Sequence, residues 1–158
     1  MSSHNQILEI IKVSPIWKDA LKNFLGELET SGDTVYFSPH PNDDSALDFV
    51  TTNANKDLYY LLVEGKEILG YGLLRGWNEG FAIPSLGIAI SPKNRGQGLA
   101  KLLMQFLYIA AYKKGAERIR LRVMKHNTRA IKLYEDLGYS FEDDQNNNQF
   151  LVGYKTIA

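Results

Sequence analysis

The segment Ile88-Ala89-Ile90-Ser91-Pro92-Lys93-Asn94-Arg95-Gly96-Gln97-Gly98-Leu99-Ala100-Lys101 constrains the fold of this chain more than any other. An apolar run enters a loop bearing proline and glycine. Leu99, Leu102, Leu103, Phe106, Leu107 and Ala110 then step by three and four as far as Gly115. That pattern predicts a strand passing through a turn into a long amphipathic helix. The first N–H groups of such a helix lack internal partners, and its dipole places about half a positive charge there. Gly96 and Gly98 carry no Cβ, so backbone amides can approach a ligand closely, while Arg95 and Lys101 add full charges. An anion is the expected guest, and a diphosphate matches the shape.

Two familiar phosphate loops fail. A P-loop ends in Gly-Lys-Ser/Thr, which Leu99-Ala100-Lys101 does not supply. A dinucleotide fingerprint takes three glycines after a first strand and an acid about 20 residues on. Here two glycines follow a mid-chain strand, and position 120 is Arg120.

The remaining elements follow from period and punctuation. Residues 7–13 read as a strand, and Ser14-Pro15 as the cap and first position of a helix running to Gly32. Residues 33–43 form a loop around Ser38-Pro39-His40-Pro41, and a short helix follows with Ala46, Leu47, Phe49 and Val50. Residues 58–64 and 67–75 make a hairpin about Gly65-Lys66, and 84–90 is the next strand. Residues 118–123 alternate Arg-Ile-Arg-Leu-Arg-Val, a half-buried strand with one basic face. Asn127 caps a helix ending at Gly138, and 139–142 pairs with 150–155. The order βααβββαβαββ predicts one α+β domain over residues 1–158. Its mixed, mostly antiparallel sheet of about seven strands is flanked by four helices.

A chain of 158 residues, 44% hydrophobic and 23% charged, can bury a core without staples. With no cysteine it has no disulfide, no thiolate metal site and no Cys nucleophile. Its three histidines are scattered without ligand spacing, so no metal is expected. Neither a secretory signal nor an apolar run of bilayer length is visible, and the expectation is a cytoplasmic protein without membrane partners. Its 18 basic and 18 acidic residues are unevenly spread. Eleven basic residues and one acid, Glu117, lie between Lys93 and Lys132. Such a cationic stretch suits a phosphorylated ligand.

Arg95-Gly96-Gln97-Gly98-Leu99-Ala100 resembles the acetyl-CoA loop of the GNAT (Gcn5-related) N-acetyltransferases, Arg/Gln-x-x-Gly-x-Gly/Ala. The family's second motif is matched by Asn127-Thr-Arg-Ala130-Ile-Lys-Leu-Tyr134-Glu-Asp-Leu-Gly138-Tyr139, and the element order agrees over nearly the whole chain. The resemblance implies acetyl-CoA as cosubstrate, with no metal and with direct transfer to a primary amine. By the same resemblance Ile88, Ala89 and Ile90 would offer strand backbone to the pantetheine arm. Arg95, Gly96, Gln97, Gly98, Leu99, Ala100 and Lys101 would hold the pyrophosphate, and Asn127 and Ala130 the cofactor arm. Tyr134 would sit near the sulfur as general acid. A homodimer is common for this fold.

The base is less determined. An alkylamine of pKa about 10.4 is neutral roughly one part in a thousand near pH 7.4, about 4 kcal/mol against attack. Many relatives place a Glu near the centre of the sheet, whereas Pro84-Ser85-Leu86-Gly87-Ile88 holds no carboxylate. Ser85 through water, Glu79 in the preceding turn, or His40, Asp43 and Asp44 in the loop are the candidates. Tyr36, Phe37, His40 and Trp77 fall in regions that line the acceptor side in this family. They suit a small amine such as an amino sugar better than a peptide groove. Two alternatives stay open: a module that binds acyl-CoA without turnover, and transfer to a protein or peptide amine. Nucleic-acid binding through Arg118, Arg120 and Arg122 is disfavoured, because no aromatics interleave with them in the strand.

Overall fold

The computed structural model describes residues 6–32 and 39–157, the Asn53 side chain excepted. Elements appear in the expected order. They are β1 (Leu8–Lys12), α1 (Lys18–Ser31), α2 (Asp44–Asp48), β2 (Leu58–Glu64), β3 (Glu67–Arg75), β4 (Ser85–Ile90), α3 (Leu99–Lys113), β5 (Arg118–Met124), α4 (Thr128–Asp136), β6 (Ser140–Asp143) and β7 (Phe150–Thr156). Ser14-Pro15 opens a 3-10 turn, Pro15–Trp17, rather than α1 itself, and Ser14 makes no capping bond. The short α2 continues into a π turn, Phe49–Asn53.

The strands form one sheet in the order β1-β2-β3-β4-β5-β7-β6. Every neighbour is antiparallel except β4 and β5. A parallel pair requires a crossover, and α3 provides it. The β4–β5 ladder consists of one pair, Ser85 opposite Arg120. The later residues of β4 therefore have no ladder partner on β5.

Alternation sorts the core into two layers. Leu62, Leu74, Leu86, Ile90, Ile119, Leu121 and Val123 face α3 through Leu103 and Leu107. Leu61, Tyr71 and Leu73 face α1 and α2 through Leu21, Phe24, Leu25 and Leu47. Gly72 lets α3 lie close to β3: a Cβ there would stand 3.1 Å from both Leu103 and Leu107. The buried stripe of α3 is Leu99, Leu103, Met104, Leu107 and Ala111. Leu102, expected on that stripe, is 41% exposed, because it is turned about 100° from Leu103 around the helix.

On β5, Ile119, Leu121 and Val123 are buried beneath α3 while the arginines occupy the opposite face. No aromatic stands among the arginines within β5 itself, but β7 sets two beside them. Tyr154 lies under Arg118 at 4.6 Å and Phe150 under Arg122 at 3.9 Å, both from the neighbouring β7. Arg122 Nε also donates to Asp144 at 2.8 Å. Among the described residues, no helix is long and apolar enough to cross a membrane.

Candidate active site

Past Ile90 the chain makes a 3-10 turn, Pro92–Asn94, and extends at Arg95. Gly96 and Gly98 then take φ of +80° and +79°, the left-handed region that favours glycine, and a Cβ on either would point into open space. Gly98 is the N-cap of the 15-residue α3 and makes no side-chain cap bond, so its first-turn N–H groups stay available at the positive end of the dipole.

A cleft of about 580 Å³ opens at this helix end. Ile88, Ala89 and Ile90 of β4 line it, with Arg95, Gly96 and Gly98 of the loop and Leu99, Ala100 and Lys101 of α3. Asn127, Ala130 and Tyr134 close it from the α4 side. Of the expected cofactor residues only Gln97 stands outside this lining. Asn94, Arg129, Leu133 and Leu28 also line it and were not expected. Arg129 and Leu133 were legible as neighbours of Asn127 and Tyr134 on one helix. Leu28 comes from α1 and carries no such local signal.

Asn127 has two tasks available. Its Oδ1 accepts the Ala130 N–H at 3.3 Å and so caps α4, which leaves Nδ2 to donate elsewhere. The Asn94 Oδ1 is buried without a hydrogen-bond partner among the described residues. A ligand bearing donors would satisfy it. Uncapped amides, Lys101 and Arg129 beside that acceptor fit an extended anionic ligand with amide groups, as coenzyme A is.

Tyr134 packs against the Tyr139 and Phe141 rings, with centroids at 6.2 and 6.4 Å. Burial pushes its pKa up to about 12, so the phenol keeps its proton across neutral pH.

None of the base candidates lines the cleft. Glu79 lies in solvent, 3.9 Å from Arg75. The Ser85 Oγ accepts from Arg120 Nη1 at 3.4 Å. Asp43 caps α2 by accepting the Ala46 N–H, and Asp44 pairs with Lys18 and Lys22. His40 Nδ1 donates to the Pro41 carbonyl at 2.9 Å, so Nε2 accepts from the Tyr71 hydroxyl at 2.8 Å. Tyr71 is fully buried on β3 directly opposite Ala89, a cleft residue. Burial lowers the His40 pKa; the bond to the Pro41 carbonyl opposes it, the Arg75 charge adds to the lowering, and the Asp43 charge opposes it least. Burial likewise raises Tyr59, stacked on Tyr71, to about 12.

The expected acceptor group does not assemble. Trp77 packs against the α3-side core with Lys114 Nζ 5.4 Å above its ring, while His40 lies against Tyr59 and Tyr71 on the other face. Tyr36 and Phe37 lie outside the described residues. The basic stretch is also dispersed. Arg95, Lys101 and Arg129 line the cleft, whereas Lys93, Arg122, Lys125 and Lys132 pair with carboxylates.

The sheet order, the α3 crossover and the cleft at the start of that helix are those of a GNAT-type fold. Residues 20–139 match the model of the acetyltransferase (GNAT) family. The chain belongs to that family. The GNAT domain of S. lividans PAT superposes with a TM-score of 0.80 at 14% identity, covering 99% of both chains. The PaiA N-acetyltransferase from Thermoplasma acidophilum in complex with coenzyme A superposes with a TM-score of 0.72 at 16% identity, covering 95% of this chain and 99% of that one. Thialysine N-epsilon-acetyltransferase of Bos taurus is 34% identical over 79 residues, 48% of this chain and 46% of that protein. The curated relatives are matched over 29% to 49% of their length.

Proposed function

We propose that the protein transfers an acetyl group from acetyl-CoA to the primary amine of a small molecule, by direct attack without a covalent enzyme intermediate. The observation that carries this reading is the single cleft that unites the uncapped end of α3, the part of β4 that has no ladder partner on β5, Asn127 and Tyr134. Bound acetyl-CoA would supply the acetyl thioester. The amides of the glycine loop, with Lys101 and Arg129, hold its phosphates. Asn127 Nδ2 and the β4 backbone orient its arm, and a β4 N–H stabilises the oxyanion that develops as the amine attacks. Tyr134 donates its phenolic proton to the departing sulfur. His40, neutral near pH 7 and adjacent to β4 through Tyr71, is the favoured base, since Glu79 and Ser85 are engaged elsewhere. The Tyr71 hydroxyl, which already donates to Nε2, relays the proton: it passes its own proton to Nε2 as it accepts the one the amine loses.

A small amine, of which an amino sugar is one, is the proposed acceptor. One observation favours a second reading, a module that binds acyl-CoA without turnover: no base candidate lines the cleft. Free-thiol release from acetyl-CoA against a panel of amino sugars, polyamines, amino acids and short peptides separates the two. Release that depends on one acceptor class establishes the transferase. Tight binding of acetyl-CoA with no release from any amine establishes the binding module.

A further inference from the structure

Across the sheet, Arg75 of β3, Ser85 of β4, Arg120 of β5 and Tyr154 of β7 stand opposite one another in register. Opposed residues share a face, and this one also carries Ala89 and Tyr71. Two guanidinium groups therefore rise on either side of a serine hydroxyl, from strands about 10 Å apart.

Arg120 is the odd member of its strand. Arg118 lies over Tyr154, and Arg122 holds Asp144 and covers Phe150. Arg120 is half-buried, and its one described bond is the 3.4 Å contact to Ser85 Oγ. Asp144, a carboxylate that feels its charge, is already bonded to Arg122 Nε and the Asn146 N–H. Arg75 reaches Glu79 only at 3.9 Å, and its charge bears on His40, Tyr59 and Tyr71. A guanidinium has five donors, and a half-buried one that uses a single long bond suits a carboxylate that arrives with a ligand.

Resting on the transferase reading above, we propose that Arg120, with Ser85 and Arg75, binds a carboxylate on the acceptor. The acceptor is then an amino acid that presents an amine far from its carboxylate. The position sets the spacing. Gly87 and Ala89 lie two and four residues along β4 from Ser85 on the same face, about 7 and 13 Å away. An amine attacking beside Ile88 and Ala89 is thus separated from the anion by several single bonds. A terminal ω-amine meets this spacing, and an α-amine does not.

The test compares 6-aminohexanoate with hexylamine, and lysine with 1,5-diaminopentane, in the wild type, Arg120→Gln and Arg120→Lys. Thiol release gives kcat and KM for each pair, and calorimetry follows 6-aminohexanoate binding to protein loaded with coenzyme A. In the wild type the carboxylate-bearing member is expected to lead by about tenfold or more in kcat/KM, expressed mainly in KM. Arg120→Gln should bring that ratio towards one and Arg120→Lys should retain part of it. Equal kcat/KM within each pair of the wild type, or a preference that survives Arg120→Gln, overturns the proposal. So does the absence of calorimetric binding by 6-aminohexanoate. Coenzyme A affinity in the same runs shows that each variant is folded. Failure of every amine in the panel to release thiol defeats the transferase reading instead, while loss of 6-aminohexanoate binding in Arg120→Gln would still support the anion site.

Discussion

The Tyr71 hydroxyl donates to His40 Nε2 at 2.8 Å, tying the segment after α1 to the centre of β3. The bond uses the neutral ring, because Nδ1 donates to the Pro41 carbonyl. Protonation would make Nε2 a donor and force the phenol to turn within a fully buried site.

Stability should therefore fall on mild acidification. With the folded pKa of His40 below its unfolded value of about 6.5, the unfolded chain binds more protons between the two. The contribution is complete above about pH 6.5 and is lost as pH falls through the folded pKa. Thermal unfolding between pH 7.5 and 5 should show a steeper drop in Tm for the wild type than for His40→Gln. Parallel slopes would mean that His40 is not the titrating group.

Tyr134→Phe should lower kcat about a hundredfold while coenzyme A affinity changes less than about twofold, the mark of a proton donor rather than a binding contact. Because burial holds the phenol near 12, the wild-type rate should show no alkaline loss from this group below about pH 11. An unchanged kcat would remove Tyr134 from the reaction.

Local signals in the sequence were enough to order the elements and to assemble most of the cleft lining. The loop of Gly96 and Gly98 and the cap at Asn127 are each written in consecutive residues, and helix period alone brings Asn127 and Tyr134 to one face. Partners across strands were not legible. Tyr154 and Phe150 meet the arginines of β5 through the β5–β7 register, more than 25 residues away in the chain. Trp77 and His40 looked like companions because both lie in loops, yet strand alternation sends them to opposite faces of the sheet. Leu102 was misread because its spacing also fits a helical stripe, and only the position of β3 decides which stripe is buried.

Gly72→Ala should destabilise the fold by about 1–3 kcal/mol, since the added methyl meets Leu103 and Leu107 at 3.1 Å in a packed layer. Urea unfolding measures this. Because α3 would be pushed from β3 at the end that carries the glycine loop, coenzyme A affinity should weaken as well. A variant as stable as the wild type would show that this helix–sheet contact has slack.

Asn127 allows its two tasks to be separated by choice of substituent. Asn127→Asp keeps an oxygen that can accept the Ala130 N–H and adds a negative charge favourable to the start of α4, so stability should hold. It loses the Nδ2 donor and sets a carboxylate at the wall of an anion-binding cleft, so coenzyme A affinity should fall about tenfold or more. Asn127→Ala removes the cap and the donor together, costing about 1 kcal/mol of stability as well as affinity. Calorimetry with coenzyme A and thermal unfolding on both variants make the comparison. If Asn127→Asp binds coenzyme A as tightly as the wild type, the side chain only caps α4. If it binds weakly at undiminished Tm, the residue touches the cofactor directly.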